Sequence, residues 1–86
     1  MKLYTTVKLP SGILVTIYEP NGPVFFMVMT ESKGDLGLFM KSLIKNIVRF
    51  EGQQYSYEQI EQLSFSDLNY LVQVINPLIE ASMDDK

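Results

Sequence analysis

Residues 35–51 read Asp-Leu-Gly-Leu-Phe-Met-Lys-Ser-Leu-Ile-Lys-Asn-Ile-Val-Arg-Phe-Glu. Within them Leu36, Phe39, Met40, Leu43, Ile44, Ile47 and Val48 keep the i, i+3, i+4, i+7 spacing without a miss, the pattern of a helix with one buried stripe. Ser32 and Asp35 form a candidate capping pair ahead of it, and Gly52 offers a C-terminal stop. Leu38 and Phe50 fall off the stripe. They are candidates for contact with a partner or with the segment that precedes the helix.

Upstream the period changes from 3.6 to 2. Leu3, Thr5, Val7 and Leu9 alternate with Tyr4, Thr6 and Lys8, and Ile13, Val15 and Ile17 alternate with Leu14, Thr16 and Tyr18. Leu9-Pro10-Ser11-Gly12 separates the two runs, with proline and glycine where a turn wants fixed and positive φ. Residues 1–20 therefore predict a β-hairpin, closed by Pro20-Asn21-Gly22-Pro23. Val24 to Thr30, VFFMVMT, is apolar throughout, so periodicity does not separate a buried strand from a helix.

Downstream, Ser56-x-x-Gln59 is a capping-box pattern for a short helix to Leu63. Ser64-x-x-Asp67 opens another, with Leu68, Leu71, Val72, Ile75, Leu78 and Ile79 on one face. Pro77 cannot donate to the Gln73 carbonyl, so a kink or restart is expected near Asn76. The expectation is one α+β domain over 1–86: a hairpin at 1–20, then three to four helices within 23–83, and a frayed tail at 84–86.

Composition narrows the function. A hydrophobic fraction of 47% in 86 residues is that of a single folded core. Cysteine and histidine are both absent, which removes disulfides, thiolate metal sites and the commonest acid–base group. No phosphate loop occurs, and Ser66-Asp67-Leu68 inverts the attachment motif of an acyl carrier. A non-enzyme without cofactor or metal is expected. Lys2, Lys8 and Pro10 interrupt the first apolar run, so no signal peptide is expected, and Pro20 to Thr30 is too short to cross a bilayer.

Charge is segregated. Residues 33–49 hold Lys33, Lys41, Lys45 and Arg49 against Asp35 alone, a net +3, whereas residues 50–85 hold seven acids and no base. Lys41, Lys45 and Arg49, at i, i+4 and i+8, would form one basic line on the long helix. It reads either as a solvated face or as a phosphate-binding or acidic-partner surface, a second copy being one such partner, which predicts a weak homo-oligomer. A net charge of −3 speaks against nucleic acid as the partner.

Leu9-Pro10-Ser11-Gly12 followed by Val15-x-Ile17-x-Glu19-Pro20-x-Gly22 resembles the opening of the small tail assembly chaperones of long-tailed bacteriophages. Ile47-Val48-Arg49-Phe50-Glu51-Gly52 resembles the end of their amphipathic helix, and Leu63, Asp67 and Leu71 match a later pattern. The likeness spans nearly the whole chain in degenerate patterns; it departs at VFFMVMT, where the family is polar. The resemblance implies an α+β fold with residues 23–31 leaning to helix. It also implies a non-catalytic protein of the bacterial host cytoplasm that binds the tape measure protein, or another phage tail protein, and keeps its apolar helices soluble. Alternatives are a permanent tail or baseplate component and a small nucleic-acid-associated regulator using Lys41, Lys45 and Arg49. Flexible methionines and aromatics suit a surface that accepts varied helices. Phe25, Phe26, Met27, Met29 and Met40, with off-stripe Leu38 and Phe50, are the candidate partner-binding residues, and ordinary core is the alternative for each.

Overall fold

The computed structural model describes residues 1–83, with side chains to Glu80; the expected frayed tail at 84–86 lies outside the described residues. The chain forms β1 (Lys2–Lys8), β2 (Leu14–Glu19), α1 (Gly22–Ser32), α2 (Leu36–Ile47), β3 (Val48–Phe50), α3 (Tyr57–Glu61) and α4 (Phe65–Met83). The α+β architecture of hairpin followed by helices is therefore present, with a third strand added.

The hairpin turn closes by hydrogen bonds from Leu9 N to Ile13 O and from Gly12 N to Leu9 O, both 2.8 Å. Pairing is antiparallel, with Val7 opposite Val15 and Thr5 opposite Ile17. Beyond Thr5 the register slips, because Leu3 faces Tyr18 and leaves Tyr4 unmatched. This bulge leaves Leu3 exposed and packs Tyr4 against the core, so the simple alternation ends there.

The main correction concerns the end of the long helix. It stops at Ile47, and Val48-Arg49-Phe50 turns extended to pair with β2, placing Val48 opposite Ile17 and Phe50 opposite Val15. Two residues apart on a strand, Val48 and Phe50 point to the same face, and both are buried. Glu51 and Gly52, with φ of 52° and 84°, then reverse the chain, and Phe50 and Gln53 exchange backbone hydrogen bonds of 2.7 and 3.0 Å. Gly52 thus serves a tight turn after a strand, not a helix cap.

Both C-terminal helices start where expected. Ser56 and Gln59 complete a reciprocal capping box for α3. Ser64 Oγ accepts from Asp67 N at 3.2 Å at the start of α4. Of the kink or restart expected near Asn76, the restart does not occur, since α4 continues through Pro77. Only one ladder bond is lost there, and Leu71 and Ile75 before the proline and Leu78 and Ile79 after it all pack on the core. That core joins Val15 and Ile17 of β2, Leu43, Ile44 and Ile47 of α2, Val48 and Phe50 of β3, Ile60 of α3, and Leu71 and Ile75 of α4. Leu43 and Ile44 are buried as the stripe predicts. Leu36 is not: as the first helical residue it is 79% exposed.

Candidate functional site: an apolar face on the first two helices

The VFFMVMT segment is helical. Asn21 Oδ1 accepts from Val24 N at 3.0 Å, and Pro23 supplies a first-turn residue that needs no hydrogen-bond acceptor. Lys33 ends the helix in a left-handed conformation, its N–H donating to Met29 O at 3.3 Å. Because α1 is apolar nearly all round, it cannot bury every side chain against one neighbour. Val28 and Ser32 are buried and Val24 and Phe25 half-buried, whereas Phe26, Met27 and Met29 remain exposed, Phe26 at 68%.

These exposed residues extend onto α2. Phe25 meets Phe26 edge-to-face at 6.2 Å between ring centroids, and Phe39 of α2 at 6.5 Å and 85°. Phe25, Met29, Leu36 and Phe39 line a cleft of about 540 Å³, with Ser32, Gly34 and Asp35 at its polar end. Asp35 Oδ1 is occupied in capping α2, accepting from Leu38 N at 3.0 Å.

The structure brings together Phe25, Phe26 and Met29 of the expected partner-binding set, with exposed Met27 on the same helix. Leu38 is half-buried on α2. Met40 belongs elsewhere, in a second cleft of about 410 Å³ shared with Ile44, Ile60, Leu68 and Val72. Phe50 leaves the set altogether: it is 1% exposed and stacks on Tyr55 at 4.1 Å and 9°. Its off-stripe position marked a contact with the hairpin. The spacing places Leu36 and Phe39 on the core stripe: Phe39 packs against the core and also lines the cleft, whereas Leu36 lines the cleft alone. For Leu36 the signal was Asp35, because a cap at 35 makes 36 the first and least covered helical residue.

The basic line is broken and its charges are engaged. Lys41 forms an ion pair with Glu61 of α3. Lys45 Nζ lies 5.4 Å from the Tyr57 ring centroid. Arg49 is on β3, not α2; its guanidinium donates to the Asn46 and Val48 carbonyls at 3.2 and 3.3 Å and sits 5.9 Å from the Tyr18 ring. The opposite charges that the sequence separates thus meet within the chain at Lys41 and Glu61.

A further polar cluster was not foreseen. Glu31, near the end of α1, accepts hydrogen bonds at Oε1 from Ser42 Oγ at 2.7 Å and from Tyr57 OH at 3.1 Å. The Ser42 hydroxyl above all and then the Tyr57 hydroxyl hold the Glu31 carboxyl below its ordinary value of 4.5; burial opposes them, and the Lys45 ammonium adds the least. Glu31, Ser42 and Tyr57 lie 11 and 26 residues apart at most, on three helices, with no local spacing to signal their meeting.

Among the described residues no cluster of three or more acidic side chains is placed to hold a metal ion, and no helix is long and apolar enough to cross a membrane. No protein-family model, curated protein or solved structure matches this chain.

Proposed function

We propose that this chain is a phage or prophage tail assembly chaperone, a non-catalytic protein that binds the tape measure protein in the bacterial cytoplasm and keeps it soluble until the tail tube forms around it. The observation that carries this reading is the apolar face of Phe25, Phe26, Met29, Leu36 and Phe39, left open on α1 and α2. Large exposed apolar surface beside a groove is costly in a free monomer and is characteristic of binding surfaces for apolar helices. The resemblance of the hairpin and the later helix starts to the chaperone family supports the same reading. A nucleic-acid role draws less support, since Lys41 and Arg49 are taken up by contacts within the chain.

Co-expression with a tape measure protein from the phage or prophage genome that carries this gene tests the proposal. Wild type should hold that protein in the soluble fraction, and a Phe26→Glu/Met29→Glu variant with an unchanged melt should not. A tape measure protein equally soluble with and without the chain would overturn it. Purified particles decide the structural alternative: a chaperone is absent from them, and stoichiometric retention would make the chain a permanent tail component.

A further inference from the structure

Helix α1 has one substantial packing partner among the described residues, α2, and the contact has two separable parts. The apolar part is Val28, with Phe25 against Phe39. Phe25 also closes a gap of only about 10 Å³ bordered by Pro20, Leu43, Leu78 and Ile79. The polar part is the double hydrogen bond from Ser42 and Tyr57 to Glu31. Ser42 itself is fully buried; its hydroxyl donates to Glu31 and accepts from Asn46 Nδ2 at 3.5 Å, so Glu31 is the acceptor it uses while α1 stays in place.

The helix is joined to the rest of the fold by short connections: Pro20 and Asn21 precede it, and Lys33 and Gly34, with φ of 51° and 84°, follow it. Detachment would uncover one fully buried apolar side chain of the helix, Val28, and the half-buried Val24 and Phe25, whereas Phe26, Met27 and Met29 already face solvent in the closed state. The hydrogen bonds of Glu31, Ser42 and Tyr57 would be exchanged for bonds to water and not simply forfeited. Segments with few buried apolar side chains open locally at less cost than the whole fold.

We propose that α1 is a lid latched by Glu31: it lifts from α2 as a unit while the sheet, α2 and α4 stay folded. Opening uncovers Phe39, Leu43, Leu78 and Ile79 and so enlarges the apolar face available to a helical client. What the lid admits rests on the chaperone reading above; that it opens is a property of the chain alone. A client that favours the open state would draw the lid open in proportion to its preference for that state.

Amide hydrogen exchange read by mass spectrometry, in urea below the unfolding transition, tests this on the free protein. In wild type, residues 22–32 should exchange faster than residues 43–50 and 68–75, with a shallower dependence on urea. Glu31→Ala should accelerate exchange in 22–32 by roughly tenfold, the scale of a lost hydrogen-bond pair, and leave the other two segments unchanged. Tyr57→Phe, which removes one hydroxyl and keeps the ring, should give a smaller acceleration in the same segment. Exchange of 22–32 only through global unfolding, or equal acceleration of all three segments in both variants, would overturn the lid. Co-expression with the tape measure protein reads separately: a lid that opens without client rescue leaves this inference standing and removes the function.

Discussion

The carboxylate of Asp67 accepts hydrogen bonds from both the amide and the hydroxyl of Ser11, at 3.1 and 2.6 Å, joining the hairpin turn to the first turn of α4 across 56 residues of chain. Asp67 is 2% exposed, and its charge lies at a helix N-terminus, where the backbone dipoles favour an anion. Ser11 therefore does more than fill a turn. It satisfies a buried anion that otherwise has only the helix end for company.

Asp67→Ala should destabilise the fold by about 1–3 kcal/mol, the cost of losing two charge-assisted hydrogen bonds to Ser11. Ser11→Ala should cost less, because the Ser11 amide still donates. A double-mutant cycle in urea denaturation checks the pair: the two losses should fall short of additive, and fully additive losses would show that the residues do not interact.

The two ends of the α2 stripe should respond oppositely. Leu43→Ala removes a side chain that is 2% exposed and should cost about 2–5 kcal/mol. Leu36→Ala, at the open end, should shift stability by no more than about 0.5 kcal/mol. Thermal melts of the two variants settle the assignment, and equal effects would contradict it.

Acid should weaken the attachment of α1. The Glu31 carboxyl is held below its ordinary value by Ser42 and Tyr57 on the neighbouring helices and by Lys45. A carboxyl depressed in the folded state contributes stability that is fully present above the unfolded value and is lost as pH falls through the folded one. Urea midpoints of wild type and Glu31→Gln should therefore converge as pH is lowered from 7 to below 4.5. A difference that does not change with pH would show that the charged form gains nothing from the fold.

Self-association of the isolated chain should follow the apolar face and not the basic residues. With Lys41 paired to Glu61 and Lys45 against Tyr57, charge-driven docking has lost its cations to contacts within the chain. Sedimentation equilibrium should show weak association that persists at 0.5 M salt, where Debye screening is within about 4 Å. Phe26→Glu should abolish it. Loss in Lys41→Glu/Lys45→Glu alone, or loss with salt, would return the interface to the basic residues.

What the sequence determined by itself was local. The alternation at Val15 and Ile17, the turn at Leu9 to Gly12, and the side-chain caps at Ser56 and Ser64 involve residues within a few positions of one another. Their chemistry is complete without the rest of the chain, and each stands where the pattern put it. The middle of the α2 stripe was equally legible, because Leu43, Ile44 and Ile47 have no second face on which to lie.

Tertiary structure decided the rest. Val48 continues the helical spacing and also suits a strand; the free edge of β2 settled the matter by offering ladder hydrogen bonds to Val48-Arg49-Phe50. That choice buried Phe50, removed Arg49 from the basic line, and turned a candidate partner contact into core. For VFFMVMT the local caps at Asn21 and Pro23 accompany a helix, but only the packing of Val28 and Phe25 on α2 determined which of its apolar residues stayed outside. The Glu31 cluster and the Ser11–Asp67 contact span distant segments. A pairing of that kind leaves no periodic trace, because it depends on where the helices and the hairpin turn come to rest against one another.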